Sequence, residues 1–339
     1  MEKSKQDNFR DTSRHEPPSR LSTDLAHAKS GSGVQLVEVS PEHAGQRIDN
    51  FLMRELKGVP RTHVYRIIRR GDVRIDKKRC KPERKLKAGE LVRVPPYSGA
   101  DVSVPAKLSD SLRAHLLELI IAETDNFIVI NKPSGMPVHG GSGIRLGLIE
   151  AVRQISPELR LAELAHRLDR ETSGCLLIAK NALFLKFAQD QFRSKTVNKE
   201  YLALVHGRWP DDIDHVDAKL LKDALGESER IVRVREEGKP ALTRFKVERR
   251  YERATLMRAL PETGRTHQIR VHCQFAGHPI VGDTKYTPRS DSQGLISAPS
   301  LCLHAQVLAF DTAPDGDRVQ YYAELDSQFA ELLSNLENH

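Results

Sequence analysis

The segment His166-Arg167-Leu168-Asp169-Arg170-Glu171-Thr172-Ser173-Gly174 sets one carboxylate, Asp169, between two guanidiniums. Flanking positive charge keeps such a carboxylate ionised at neutral pH. An ionised, positioned carboxylate can attack an anomeric carbon, stabilise an oxocarbenium-like state or remove a proton. A plain ion-pair cluster has the same pattern, and these nine residues alone leave both readings open. Glu171 is two positions from Asp169, and such positions on a loop or strand do not by themselves face one substrate, so a glycosidase pair is not indicated. His267 and His272 are five apart, the wrong spacing for a shared metal on a helix, and structural or RNA-contact roles are expected of them. Gly140-Gly141-Ser142-Gly143 lacks the Gly-Lys-Ser/Thr ending of a phosphate loop, which argues against an NTPase. The four cysteines (Cys80, Cys175, Cys273, Cys302) have no CxxC spacing, so neither a disulfide frame nor a zinc knuckle is expected.

The elements that must position Asp169 follow from the apolar pattern. The run 175–179 is uninterrupted and bounded by Gly174 and Asn181, the mark of a buried strand. The charged segment is then a loop delivered to that strand's edge. A second strand, 127–130, leads into Asn131-Lys132-Pro133-Ser134-Gly135, and Lys199-Glu200-Tyr201-Leu202-Ala203 opens a third. Residues 263–272 read as a tight turn running into a helix that Thr266 can cap. Strands dominate 196–310, and helices are expected at 146–155, 181–193, 266–276 and 325–336. The pattern predicts an α+β fold with a mixed or antiparallel sheet.

The charge is unevenly placed. Residues 34–96 hold 16 Lys and Arg against 8 Asp and Glu, which leaves 37 against 38 in the rest of the chain. A local excess of this kind is the footprint of a nucleic-acid-binding module; a solvated basic face is the plain alternative. Ile48, Phe51, Leu52 and Leu56 form one helical stripe. After a break at Gly58-Val59-Pro60, Thr62 can cap a second helix with Val64, Ile67 and Ile68 inward and Gly71 at its end. On that helix Arg66, Arg69 and Arg70 lie at i, i+3, i+4, with Arg61 one turn earlier. Short strands and a Lys77-Lys78-Arg79 turn follow. Residues 46–96 thereby resemble the S4 RNA-binding domain, a small α/β module; a DNA-binding helix-turn-helix lacks the basic turn and strands. Arg61, Arg66, Arg69, Arg70, Lys77 and Lys78 are the expected RNA contacts, bridging phosphates and reading shape more than sequence. The expected organisation is a disordered tail at 1–33, the S4-like domain at 34–96, a linker at 97–115 and a catalytic domain at 116–339.

HRLDRETSG, preceded by NKPSG and followed by KEYLA, TGRTHQIRVH and LHA, resembles the RluA-type pseudouridine synthases over residues 120–310. The resemblance implies a long bent sheet with a cleft across its middle. It implies isomerisation of specific uridines in 23S ribosomal RNA, free or in assembly intermediates: the N1 glycosidic bond is cut, the bound uracil turns, and C5 rejoins the sugar. Asp169 is then the catalytic carboxylate, and Arg167 fills the vacated base stack. Arg270 would hold Asp169 in a fork-shaped pair. Tyr201 would stack on the uracil, its hydroxyl assisting departure of the C5 proton. The product is an isomer, so no cofactor is expected, nor a metal. The longer N-terminal tail and the stretch 283–299 depart from the family pattern, the latter as a variable RNA-facing loop. No stretch reaches the ~18 apolar residues of a membrane span. Acidic residues at Asp7, Asp11, Glu16 and Asp24 argue against a transit peptide, so a cytoplasmic protein is expected, with monomer as the default. A non-catalytic RNA-binding protein and an RNA N-glycosidase are the rival functions.

Overall fold

The computed structural model describes residues 33–56, 59, 61–96, 107–140, 146–222, 231–287 and 296–338, with 61 and 62 by backbone alone. The expected tail at 1–32, the Arg61 side chain, residues 97–106 of the expected linker, the glycine run at 141–143 and most of 288–299 lie outside the described residues. The chain divides into two compact units, Met1–Val102 and Ser103–His339.

The first unit runs β1 (Gln35–Glu38), α1 (Ile48–Glu55), α2 (Arg61–Arg70), β2 (Arg74–Ile75), β3 (Lys78–Arg79) and β4 (Leu91–Val94). Its sheet has the order β1-β4-β2-β3, antiparallel throughout. Ile48, Phe51 and Leu52 of α1 meet Val64, Ile67 and Ile68 of α2 over Ile75, Val92 and Val94, as the apolar stripes predict. Gly71 ends α2 with φ +80 and donates its N–H to Ile68 O at 3.0 Å. Two local readings shift. The helix starts at Arg61, so Thr62 lies inside it and is not the cap. The hairpin turn is Asp76-Lys77, both left-handed (φ 46 and 66), and Lys78-Arg79 is strand. Asp tolerates that conformation, and Asp76 Oδ1 here accepts the Leu91 N–H at 2.9 Å.

In the second unit, α3 (Asp110–Glu118), β5 (Ile120–Glu123), β6 (Phe127–Lys132), α4 (Leu148–Val152), β7 (Glu163–Leu164), β8 (Ser173–Ala179), α5 (Ala182–Ser194) and β9 (Asn198–His206) come first. They are followed by β10 (His215–Asp217), β11 (Leu220–Lys222), β12 (Val232–Val234), β13 (Leu242–Arg250), β14 (Ala254–Pro261), α6 (Gln268–Phe275), β15 (Leu303–Asp311), β16 (Arg318–Tyr322) and α7 (Ser327–Glu337). Ten strands make one mixed sheet in the order β10-β13-β14-β9-β15-β8-β6-β5, with β16 on β15 and β7 on β8. Only the β8–β15 pairing is parallel among these. The architecture is the α+β, mixed-sheet fold read from the pattern. Residues 107–115, read as linker from their composition, belong to this unit instead. Ser109 Oγ caps α3 by accepting the Leu112 N–H at 3.2 Å, and Leu108 and Leu116 are buried in the core. Burying a leucine contributes roughly 1.5–3 kcal/mol, enough to fold a segment that composition marks as polar.

Two of the four cores among the described residues of this unit adjoin Tyr201. One gathers Trp209, Met257, Ile269 and Phe329; the other gathers Ile128, Ile130, Leu148 and Leu176. Tyr201 packs against both. Its strand position explains why. Tyr201 on β9 is the register partner of Ala305 on β15, which is the partner of Gly174 on β8, a line across three neighbouring strands. Gly174 has φ +106, and a Cβ there would collide with the Ala305 backbone, so the junction requires glycine.

Candidate active site

The loop 165–172 leaves β7 and enters β8, ending where that three-strand line begins. Each of its turns is tied down. Leu168 is in the core. His166 accepts the Leu177 N–H on Nε2 at 2.9 Å and stacks on Phe192, centroids 4.5 Å apart. Burial pushes His166 down to about 3, so it is a neutral anchor. Lys132, at the end of β6, is 0% exposed. Its ammonium donates to the carbonyls of Pro133 (2.8 Å), Met136 (2.9 Å) and Arg170 (2.9 Å), three donors for three acceptors. Burial lowers Lys132 to about 8, against the pull of Glu171 and Asp169. Ser134 Oγ donates to Glu171 O at 2.7 Å, and Arg170 Nε to Gly135 O at 2.9 Å. The turn at 132–136 thus clasps the loop that carries Asp169, and Arg170 is turned toward that turn and Glu171.

The loop opens into a cleft of about 510 Å³, within the range of ordinary ligand pockets. Arg167, Asp169, Tyr201, His267 and Arg270 line it. Arg167 is exposed, and among the described residues its guanidinium has no hydrogen-bond or ion-pair partner. The Asp169 side chain is 19% exposed, with His267 Nε2 3.9 Å from its Oδ2. Burial, and then the Asp169 charge, push the Tyr201 phenol well above its ordinary value, so it stays protonated.

Arg270 corrects one expectation. Its fork is given to Asp283, Nε to Oδ2 and Nη2 to Oδ1, each at 2.7 Å, and not to Asp169. Asp283 is 2% exposed and also accepts the N–H groups of Lys285 (3.0 Å) and Tyr286 (3.1 Å). A carboxylate buried that deeply demands a cation with matching geometry, and Arg270 supplies it. Asp169 remains close enough to favour the Arg270 charge. Tyr286 stacks under the same guanidinium, 5.1 Å from ring centroid to Cζ. Asp283 and Tyr286 belong to the stretch read as a variable RNA-facing loop, but they are buried and pack against Arg270 of the cleft.

The turn before α6 also differs from expectation. Thr266 is not the cap; His267 holds that position, left-handed at φ 53, ψ 21. The turn is held by Gln268. Its Oε1 accepts from Thr263 Oγ1 (2.6 Å) and Arg265 N (3.0 Å), and its Nε2 donates to Leu242 O and Thr243 Oγ1, both 3.0 Å. Sequence reasoning missed Lys132, His166, Asp283 and Tyr286, and gave His267 only a structural or RNA-contact role. The signal available for Lys132 was its place at the end of an apolar strand. Among the described residues no group of three His, Cys, Asp or Glu could hold a metal ion, and no helix is long and apolar enough to cross a membrane. In the first unit Arg66, Arg69, Arg70, Lys77 and Lys78 are all exposed. Arg66 contacts His63 Nδ1 at 2.6 Å, and Arg70 pairs with Asp72 at 3.2 Å.

Comparison with known proteins agrees with this architecture. A family profile described as RNA pseudouridylate synthase matches residues 126–275, and the S4 domain matches 46–92. A ribosomal large subunit pseudouridine synthase C from Haemophilus influenzae is 48% identical over 309 residues, 90% of this chain and 96% of the relative. Its counterpart in Escherichia coli K12 is 49% identical over 311 residues, 90% of this chain and 97% of the relative. The solved structure of human RNA pseudouridylate synthase domain containing 4 matches with TM-score 0.56 at 25% identity, covering 67% of this chain and 96% of that one. The chain belongs to the RluA-type pseudouridine synthases, isomerases of RNA uridine, and carries an S4 domain ahead of its catalytic fold.

Proposed function

We propose that this enzyme converts specific uridines of 23S ribosomal RNA, free or in assembly intermediates, to pseudouridine, with Asp169 as its catalytic carboxylate. The convergence of Arg167, Asp169, Tyr201 and Arg270 on one cleft at the centre of the sheet carries the reading. The large-subunit ribosomal RNA named for its relatives supports the substrate. In the reaction the C1′–N1 bond breaks, the uracil turns, and C1′–C5 forms; C5 releases its proton and N1 gains one, so the product is an isomer. Asp169 acts at the sugar, where its ionised form is needed. Tyr201, held as a phenol, offers a neutral ring for the uracil and a hydrogen-bond donor, and is poorly suited to be a base. Arg167, exposed at the cleft, takes the place of the extracted base in the RNA stack. The Arg270–Asp283 pair keeps a fixed positive edge beside the reacting carboxylate. Residues 34–96 grip RNA phosphates through Arg61, Arg66, Arg69, Arg70, Lys77 and Lys78, and the fold that follows performs the chemistry. The enzyme acts in the cytoplasm as a monomer, with no cofactor or metal.

The test follows the C5 hydrogen. Large-subunit rRNA transcripts carrying C5-tritiated uridine are incubated with the enzyme and with Asp169→Asn. Tritium in water from the wild type alone, without free uracil, is the expected result. Free uracil would make the protein an N-glycosidase, and tight binding without release would leave an RNA-binding protein.

A further inference from the structure

His267 stands between Asp169 and Tyr286, and no step above uses it. Its Nδ1 lies 2.6 Å from Tyr286 Oη, and its Nε2 3.9 Å from Asp169 Oδ2. The phenol oxygen already accepts the Val232 N–H at 3.1 Å. With that acceptance made, donation of its single hydrogen to His267 Nδ1 is the arrangement that satisfies both groups. A neutral imidazole that accepts on Nδ1 carries its own hydrogen on Nε2, the nitrogen that faces Asp169. Burial, helped by Arg270 and Lys285, outweighs the pull of Asp169 and Asp283 and brings His267 down to about 4. The ring is therefore neutral at physiological pH. Its direction is fixed by a left-handed backbone that few residues other than glycine adopt, a conformation that persists where the surroundings enforce it.

We propose that His267 is a positioning residue for the reaction: Tyr286 sets its tautomer, and its Nε2–H steers Asp169 Oδ2, leaving Oδ1 to work on the sugar. The inference rests on Asp169 being the reacting carboxylate. At 3.9 Å the contact is just beyond hydrogen-bond length, and it closes when a nucleotide fills the cleft. A neutral donor suits the task because it orients the carboxylate without giving it a full counter-charge.

Two measurements test this. In the ¹⁵N spectrum of the wild-type imidazoles, His267 is expected to be protonated on Nε2 alone between pH 6 and 8; an Nδ1–H tautomer or an imidazolium at pH 7 overturns the proposal. In single-turnover tritium release, His267→Asn keeps a residue that tolerates the left-handed backbone but stops short of Asp169. It is expected to lower the rate about 10- to 100-fold, the scale of one lost hydrogen bond to a charged group, with RNA affinity within about twofold. His267→Gln, whose amide reaches further, regains part of the rate. Tyr286→Phe, with the tautomer released, is slowed less than His267→Asn. If Asp169→Asn is inactive while His267→Asn turns over at the wild-type rate, the role of His267 falls alone. If Asp169→Asn keeps wild-type release, the reading of Asp169 falls and this proposal with it.

Discussion

The arginines of α2 and the arginine of α6 are held in opposite ways. Arg66, Arg69 and Arg70 are exposed, in local contacts at most, while the Arg270 side chain is 7% exposed and both arms of its fork are committed to Asp283. Exposed charges are screened by salt, contribute little singly, and substitute for one another in a grip on phosphate. A buried pair is the reverse: its geometry is fixed, and removing one partner strands the other. On the proposed function, one region tolerates error because its task is shared, while the other holds one edge of a reaction site and has no spare parts.

The comparison breaks most sharply at Asp169. Asp169→Asn should lower turnover by at least about 10³-fold, the scale on which a sole reacting group is felt, with RNA affinity nearly unchanged. A variant that lost binding and kept its rate would move Asp169 to the gripping side. Next is Asp283→Ala, which leaves Arg270 buried without its partner. We expect a loss of about 3–5 kcal/mol, seen in calorimetry as a melting temperature lower by roughly 10 °C, together with lost activity. A melt unchanged from wild type would show that the pair is no more demanding than those on the surface.

Lys132 sharpens the contrast through pH. Its folded value is about 8, while an unfolded lysine holds its proton to about 10.4. Between these the unfolded chain binds more protons, so this group makes the fold more stable as pH rises. The third hydrogen on the ammonium is nevertheless lost, and one of three loop carbonyls goes unbonded. Turnover should fall above pH 8 while the melting temperature does not fall with it; a parallel drop in both would mean that the clasp is only a stability device. The smallest effects belong to α2. Arg66→Ala and Arg69→Ala should each raise KM severalfold with kcat unchanged, and flatten the salt dependence of binding by about 0.7–0.9 in log–log slope. A change in kcat would tie these residues to the chemistry.

What was legible in the sequence was what local pattern determines. The buried run 175–179 of β8, the stripes of α1 and α2 and the stop at Gly71 follow from apolar spacing and from glycine's freedom. Arg167, Asp169, Tyr201 and Arg270, drawn from three separate motifs, line one cleft. Partners set by tertiary closure were not legible. Asp283 meets Arg270 from a turn thirteen residues further on, in a stretch whose composition reads as variable loop. Lys132 reads as a surface residue at a strand's end until the loop that buries it, 38 positions away, is in place. The left-handed turns at Asp76-Lys77 and His267 use residues that do not require that conformation, so no glycine marks them. Residues 107–115 were misread because Leu108 and Leu112 weigh more in packing than in composition.

The order of strands has a consequence in time. β15, residues 303–311, is inserted between β9 and β8, both made more than 90 residues earlier. Until it arrives, Tyr201 and the Asp169 loop have no strand to join them. The two sides of the cleft are thus joined through a strand distant in sequence from both, and pairings this distant form slowly. Activity therefore depends on residues 303–311 pairing with both β9 and β8.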